Sequence, residues 1–167
     1  LFLDPGPGLN AGEQNIAAEI LSQVAREVER EVRARLSYRL ANLENAPVDL
    51  IRQLASDEIQ VARPLLERSG ALNDQDLVEI INRQGKEQHM SVTNRARVSA
   101  GVSEALVAKG DDEVVLALVQ NNGAEFSRNT MEVMVDRSET SDNLHKPLLS
   151  RRDLPPDLMH NIFWWVS

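Results

Sequence analysis

The chain has 167 residues, of which 42% are hydrophobic and 26% charged, and its net charge of −8 argues against a nucleic-acid-binding protein, which usually presents a basic face. Its longest strictly apolar run, Val114 to Val119, is far shorter than the ~20 residues that a membrane span requires, so we expect no membrane partner. The sequence contains no cysteine, which excludes disulfides and thiolate chemistry and fits a cytoplasmic location.

The first residues carry the run "DPGPG", which predicts a flexible lead-in over residues 1–12. No signal peptide is recognisable in this stretch. The missing initiator Met indicates a trimmed N-terminus, so the sequence is open to being a fragment of a longer protein.

Residues 13–46 contain neither Gly nor Pro and are predicted to form N-terminal helices. Apolar residues recur in this stretch at every fourth position, a spacing that favours helix. These residues are Ile16, Ile20, Val24, Val28, Val32, Leu36 and Leu40. A single helix of this length would need a supercoil partner, so we expect two helices with a joint near Glu29.

Beyond residue 46 the chain repeats, and each repeat contains an anchor residue of a type that starts helices. The five anchors are Pro47, Asn73, Ser99, Ser127 and Pro155, with separations of 26, 26, 28 and 28 residues. Asn and Ser side chains cap the free N–H groups of a first turn, whereas Pro suits the first turn because it lacks this group. The anchors therefore predict five helix starts.

Apolar residues follow the anchors at offsets of four, seven and eight, which lie on one face of a helix. The residue before each anchor is also apolar and is expected to staple the helix start. Ser103 is the polar exception among these positions. In this register Phe163, eight residues after Pro155, is predicted to belong to the core.

A second helical segment lies between successive anchors. Three of these segments begin at Asp57, Asp111 and Asp142, whose carboxylates suit a helix N-terminus through capping and through the helix dipole. Pro64 and Pro147 fall inside two segments and predict a kink or a late helix start, because an internal Pro costs ~3 kcal/mol.

One pair of short helices cannot bury its apolar face alone, but stacked pairs share a continuous core. The sequence therefore predicts an all-α fold, an α-solenoid of about five helix pairs with a period of 26–28 residues. Residues 1–167 would form a single domain, with the stacked pairs in residues 47–167. An irregular helical bundle is the alternative.

The ordered series "DEIQVARPLLERS", "LNDQDLVEII", "VSEALVAKGDDEVVLALVQNNGA" and "RRDLPPDLMHNIF" resembles an uncharacterised bacterial family, domain of unknown function 2336, over nearly the whole chain. The repeats also resemble HEAT-like repeats of the short bacterial kind. This resemblance implies a HEAT-like helical domain without an assigned activity, and it transfers no catalytic residue.

The sequence contains no residue pattern typical of catalysis, so we predict no catalytic, metal or cofactor site. Its three histidines, His89, His145 and His160, lie in different repeats and lack metal-ligand spacing. Asp157 and His160 are three residues apart on one predicted helix, but a metal site needs more ligands. We interpret both as ordinary surface residues.

The residues five positions after the anchors are expected to line up along one side of the solenoid, on the helices that we expect to form its inner face. The members of this row are Arg52, Val78, Glu104, Glu132 and His160. One interpretation is simple solvation, and the other is a mixed-charge docking groove. Under the second interpretation Arg52, Glu104, Glu132 and His160 are candidate partner-binding residues.

The chain ends in "FWWVS", where Trp164, Trp165 and Val166 replace residues that are largely polar in the earlier repeats. This substitution predicts an apolar surface at the open end of the solenoid, where a cap is expected. We expect a following segment, a second copy or a neighbouring helix to cover Trp164 and Trp165. A homodimer through this end is one such arrangement.

The function that these features favour is a non-enzymatic protein-interaction or scaffold module with a protein partner. The alternative is a sensory or regulatory domain that binds a small ligand between repeats. A hydrolase or DNA-repair enzyme is least favoured, because the latter needs a basic groove with aromatic residues.

Overall fold

A computed structural model describes residues 11–43 and 46–166, and within these ranges the chain forms ten α-helices and no β-strand. The helices are α1 (Ala11–Leu40), α2 (Val48–Ala55), α3 (Ile59–Arg68), α4 (Asp74–Arg83), α5 (Lys86–Thr93), α6 (Ala100–Lys109), α7 (Asp112–Gln120), α8 (Arg128–Ser138), α9 (His145–Leu149) and α10 (Pro156–Val166). An isolated parallel bridge joins Val98 to Ala124. The prediction of an all-α fold is confirmed.

The five predicted anchors each lie directly before a helix, at the starts of α2, α4, α6, α8 and α10. Asn73 and Asp76 form a reciprocal capping box on α4, with N···O distances of 2.9 and 3.1 Å. Ser99 and Ser127 cap α6 and α8 by accepting a hydrogen bond from the backbone N–H three residues later. The register read from the sequence is therefore the register of the helices.

The helices form two layers. In the A layer, which we define as α2, α4, α6, α8 and α10, α4 packs on α6, α6 on α8 and α8 on α10. In the B layer, which we define as α1, α3, α5, α7 and α9, each helix packs on the next odd-numbered one. Contacts of α2 with α3, α4 with α5 and α6 with α7 join the layers, and the core lies between them.

The core follows the predicted offsets closely. The residues seven positions after the anchors are between 0% and 6% exposed, namely Leu54, Ile80, Leu106, Met134 and Ile162. Burying one such side chain contributes roughly 1.5–3 kcal/mol. Since the buried positions lie on one side of each A helix, the opposite side is left at the surface.

Ser103 occupies a core position of α6, is 0% exposed, and its hydroxyl has no hydrogen-bond partner. We expect Ser103→Ala to raise the free energy of unfolding by about 1 kcal/mol, because the variant removes a buried, unsatisfied polar group. Urea unfolding followed by circular dichroism measures the change. The matched control is Ser138→Ala, where the equally buried hydroxyl donates to the Val135 carbonyl at 2.6 Å. This control is expected to lose about 1 kcal/mol, and equal losses in both variants would contradict the argument.

The prediction of a joint near Glu29 is wrong, because α1 is one continuous helix of 30 residues. Good helix formers support it, and its second half also carries local ion pairs, such as Arg35 Nη2 to Glu31 Oε1 at 2.5 Å. Its C-terminal third packs on α3, where Ser37, Leu40 and Ala41 are buried. Packing on the side of a shorter helix thus replaces the supercoil partner that the sequence argument required.

The two internal prolines have different outcomes. The α3 helix begins at Ile59 and continues through Pro64, so no late start occurs there. A short 3-10 turn, Asp142–Leu144, precedes α9, which places Pro147 in the first turn of that helix. The predicted lead-in over residues 1–12 falls mainly outside the described residues, and α1 already begins at Ala11.

Candidate functional site

The predicted row of residues lies on the A layer, with one member on each of its five helices. Arg52, Glu104 and His160 are exposed, whereas Val78 and Glu132 are half-buried. Because α4, α6, α8 and α10 pack in succession, the row crosses consecutive helices beside the buried face, and Val78 packs against the core. We call the exposed side of α2, α4, α6, α8 and α10, which this row borders, the outer A face.

Arg52 connects the first two helices of the A layer. Its Nε lies 2.7 Å from Asp76 Oδ1 on α4, and its Nη1 lies 3.6 Å from Asp49 on its own helix. Arg52 is therefore held by two carboxylates, and a partner that binds it must compete with both. Such exposed pairs contribute only ~0–1 kcal/mol, so they hold the side chain weakly.

Arg128 has the corresponding role between α8 and α10. Its Nε lies 3.0 Å from Glu132 Oε1, and its Nη2 donates to Asp157 on α10. The hydrogen bond from Arg128 lowers the pKa of Asp157 below its usual value. Glu132 and Asp157 thus share one guanidinium, which leaves excess negative charge at this position of the face.

Asp157 and His160, which are three residues apart on α10, have different surroundings. Asp157 is directed to Arg128, and the structure shows no hydrogen bond or ion pair of the His160 side chain with any described residue. Among the residues that the structure describes, no group of three or more His, Cys, Asp or Glu side chains is arranged to hold a metal ion.

The C-terminal helix exposes apolar side chains at the end of the A layer. Trp164 is 79% exposed and Phe163 is 55% exposed, while Val133 on the neighbouring α8 is 45% exposed. The prediction that Phe163 belongs to the core is wrong, although Ile162 beside it is fully buried. The equivalent position on α6, Val107, is covered because α7 packs on α6.

Trp165, the second predicted tryptophan contact, lies in α10, but its side chain falls outside the described part of the structure. The exposure of Trp164 agrees with an apolar surface at this end. The sequence left three possible covers for Trp164, namely a following segment, a second copy or a neighbouring helix. Because Trp164 is largely exposed, none of the described helices is that cover.

A groove of about 410 Å³ runs between α2 and α4 on the outer A face. Its walls carry Arg52 and Asp76, which pair with each other, and Glu79 and Arg83, which pair at 2.8 Å. Ile80 contributes apolar surface to the groove. The groove is therefore a mixed-charge cleft, and its charged side chains form ion pairs with one another.

Three arginines that the sequence patterns did not single out tie two of the helix pairs to the pairs that precede them. The guanidinium groups of Arg95, Arg137 and Arg151 donate to backbone carbonyls that lie 26 to 32 residues earlier in the chain. The carbonyls belong to Leu66 and Ser69 for Arg95, to Val107 and Gly110 for Arg137, and to Val119, Asn121 and Ala124 for Arg151. Most of them are unpaired C-terminal carbonyls of α3, α6 and α7, which carry partial negative charge.

We call these three residues the clamp arginines. Burial lowers the pKa of Arg95, because its guanidinium is partly withdrawn from water. Asn121, at the end of α7, has the same role, because its side-chain amide donates to the carbonyls of Thr93 and Arg95 at 2.8 Å, at and just after the end of α5. The only sequence signal for these residues is their separation of about one repeat from the helix ends that they bind.

Ion pairs add to the clamps at the same spacing. Lys86 Nζ lies 2.9 Å from Asp111 Oδ2, and hydrogen bonding to Lys86 lowers the pKa of Asp111. Arg137 Nε lies 2.6 Å from Asp112 Oδ1, and hydrogen bonds from Ser141 and Arg137 lower the pKa of Asp112. The acidic residues at the start of α7 therefore join neighbouring pairs, in addition to the helix capping that the sequence predicted.

Within the described residues, no helix is both long and apolar enough to cross a membrane. No curated protein and no solved structure has significant similarity to the chain. A family model described as an uncharacterised protein conserved in bacteria (DUF2336) matches residues 61–167. The match starts inside α3 and includes every helix from α4 onward, which leaves α1 and α2 outside it. The chain therefore belongs to the bacterial family of domain of unknown function 2336.

Proposed function

We propose that the chain is a protein-interaction module built as a HEAT-like α-solenoid, whose outer A face binds the partner. The two layers support the solenoid. In the A layer each helix from α4 onward packs on the next helix of that layer, and in the B layer each helix from α1 onward does the same. The clamp arginines support it as well, because each of them binds the pair before its own. A row of such pairs presents a long surface that is suited to an extended or helical ligand.

The observation that carries this proposal is the composition of the outer A face. Its exposed or half-buried charged residues are the acidic Asp49, Asp76, Glu79, Glu104, Glu132, Asp136 and Asp157 and the basic Arg52, Arg83 and Arg128, so acidic residues are in excess. Exposed apolar side chains of Val133 and Trp164 lie on the same side of α8 and α10. Acidic residues beside an aromatic anchor match a partner segment that is basic and carries an apolar side chain.

Site-specific photo-cross-linking in the native host tests this assignment. A photo-reactive amino acid at position 104 on the outer A face is expected to capture a partner. The matched control carries it at Gln60, an exposed residue of α3 in the B layer. The captured protein is then purified, and Glu104→Gln with Glu132→Gln is expected to weaken its binding about tenfold. Capture from position 60 alone, or affinity that is unchanged in the double variant, would refute the proposal.

The groove between α2 and α4 supports a second candidate, a regulatory domain that binds a small ligand. A ligand present at 100 times its Kd stabilises the folded state by about 2.7 kcal/mol, which a thermal-shift screen detects. Arg52→Ala is the matched control, because it removes one wall of the groove. No shift with any metabolite would count against this function, as would a shift that Arg52→Ala leaves unchanged.

The proposed cytoplasmic location rests on the absence of cysteine alone.

A further inference from the structure

A cavity of about 730 Å³ lies where the loop between α7 and α8 meets the loop between α9 and α10. Its walls include Glu125 and Phe126 from the first loop and Arg151 and Arg152 from the second, and we call it the loop cavity. It is larger than the groove between α2 and α4 and shares no residue with it. Cavities that hold small molecules measure about 300–1,000 Å³, so the loop cavity has a suitable size for such a ligand.

The backbone on both sides of the loop cavity is held in place. On the first loop, Glu125 N donates to the Val98 carbonyl at 2.8 Å, and the Ala124 carbonyl accepts from Arg151 Nη2 at 2.9 Å. On the second loop, Arg151 is only 9% exposed and binds both carboxylate oxygens of Asp153 at 2.8 Å. The walls are therefore positioned before a ligand arrives, which lowers the entropy that binding costs.

Two charged side chains that line the loop cavity take no part in this framework. Glu125 and Arg152 are both exposed, and within the described residues neither side chain forms an ion pair or a hydrogen bond. An ion pair requires a nitrogen and an oxygen within 4.0 Å, so the two opposite charges lie farther apart than this. Arg151 and Asp153, in contrast, neutralise each other. The loop cavity thus presents one unpaired cation and one unpaired anion, with space for a ligand between them.

We propose that the loop cavity binds a small zwitterion, an amino acid or a short peptide, between Arg152 and Glu125. The guanidinium of Arg152 can donate two parallel hydrogen bonds to the ligand's carboxylate, and the Glu125 carboxylate accepts from the ligand's ammonium group. A ligand with both charges satisfies both side chains, whereas a simple anion is repelled by Glu125 and a simple cation by Arg152.

Phe126 supplies apolar surface for the ligand's side chain. Its ring is half-buried, and the Arg151 guanidinium covers one face of it at 4.5 Å from the ring centre, which fixes its orientation. The loop cavity lies outside the outer A face, so a ligand bound there leaves the proposed docking surface open. This binding site is therefore additional to the docking function proposed above.

Titration of the ¹⁵N-labelled full chain, followed by NMR, tests the site. The probes are the standard amino acids and the dipeptide Leu-Leu, each added to about 10 mM, which nearly saturates a site with a Kd below about 1 mM. At least one probe is expected to shift the amide signals of residues 122–126 and 150–153. Shifts from amino acids or from the dipeptide alone separate the two sources of the zwitterion. No shift from any probe would overturn the proposal.

Removing one charge at a time tests the assigned contacts. The N-acetyl and the carboxamide derivatives of the strongest probe are each expected to bind at least tenfold more weakly, because each leaves one side chain without its partner. Glu125→Gln is expected to abolish the difference between the probe and its N-acetyl form, and Arg152→Gln the difference between the probe and its carboxamide.

Both variants change exposed side chains, so the helical circular dichroism spectrum is expected to stay the same. Glu87→Gln and Arg63→Gln, at exposed positions of α5 and α3 outside the loop cavity, are the matched controls and are expected to bind the probe as the native chain does. Equal affinity for the probe and its two derivatives would overturn the proposal. Affinity that Glu125→Gln and Arg152→Gln leave unchanged would overturn it as well.

Discussion

Replacing Arg151 with methionine is expected to lower the free energy of unfolding by about 3 kcal/mol, the effect of breaking a buried polar network on one side. The Arg151 side chain is only 9% exposed. Its Nη atoms donate to the carbonyls of Val119, Asn121 and Ala124 at 3.0, 3.1 and 2.9 Å. Methionine keeps most of the aliphatic stem but removes the guanidinium donors from all three carbonyls, and the Asn121 carbonyl retains its hydrogen bond from Ala124 N.

Two further contacts of Arg151 contribute to the same expectation. Its Nε and Nη2 bind both oxygens of Asp153 at 2.8 Å, and this hydrogen bonding lowers the pKa of Asp153. The guanidinium also lies 4.5 Å from the centre of the Phe126 ring, a geometry that stabilises by electrostatic attraction to the ring face. One side chain thus joins the end of α7, the segment before α8 and the segment before α10.

Urea unfolding of Arg151→Met, followed by circular dichroism, measures the loss. The control is Arg152→Met, which removes the same charge from the adjacent, exposed position. Surface changes of that kind are usually within about 0.5 kcal/mol. If both variants lost the same stability, the effect would come from net charge rather than from the carbonyl contacts.

Replacing Gly123 with alanine is expected to cost about 3 kcal/mol, at the upper end of the range for overpacking. An added Cβ would lie 2.0 Å from the carbonyl oxygen of Ala96, which is a backbone atom and has no rotamer to change. The Gly123 carbonyl also accepts a hydrogen bond from Val98 N at 3.1 Å, next to the bridge between Val98 and Ala124. Relieving the contact therefore requires the segments before α6 and α8 to separate.

Gly101→Ala is the matched control, because an added Cβ would have no neighbouring atom within 4 Å and the residue is in the first turn of α6. This substitution is expected to stabilise the protein by about 0.5 kcal/mol through helix propensity. Thermal unfolding of the two variants gives opposite shifts in Tm if the contact with Ala96 is decisive. A small effect at Gly123 would show that the two loops yield easily.

Both large effects concern contacts between neighbouring helix pairs. The clamp arginines and Gly123 act where one pair meets the next, since their partners lie about one repeat away in sequence. In an array of this kind stability depends on such nearest-neighbour contacts as well as on each pair. The same contacts fix the spacing of the A helices, and this spacing sets the distances between Arg52, Glu104, Glu132 and His160 on the proposed docking face.

Local signals were sufficient to predict the A helices. Asn73, Ser99 and Ser127 cap them because their side chains bond to the nearest backbone N–H groups, an interaction contained within four residues. The burial of Leu106 and Met134 follows equally from their offsets on one helix face. The row from Arg52 to His160 follows from the same register, because the offset of five lies beside the buried face, and its role in docking stays a prediction.

The helix α5 had no comparable signal. Four of its eight residues are buried, but three of these, His89, Ser91 and Thr93, are polar. They are satisfied by carbonyls, as in the hydrogen bond between His89 Nε2 and the Ile81 carbonyl at 2.8 Å. A hydrophobic pattern cannot reveal a helix whose buried side chains are matched by hydrogen bonds to backbone carbonyls.

The sequence by itself determined the all-helical class, the register of the five A helices and their buried faces, because capping and amphipathic spacing are local properties of the chain. Only the tertiary structure decided which apolar residues are covered, as the exposure of Phe163 and of Val28 and Val32 on α1 shows, and which arginines reach distant carbonyls. Both depend on which helices become neighbours. That outcome is set by contacts between residues far apart in sequence, on which local periodicity carries no information.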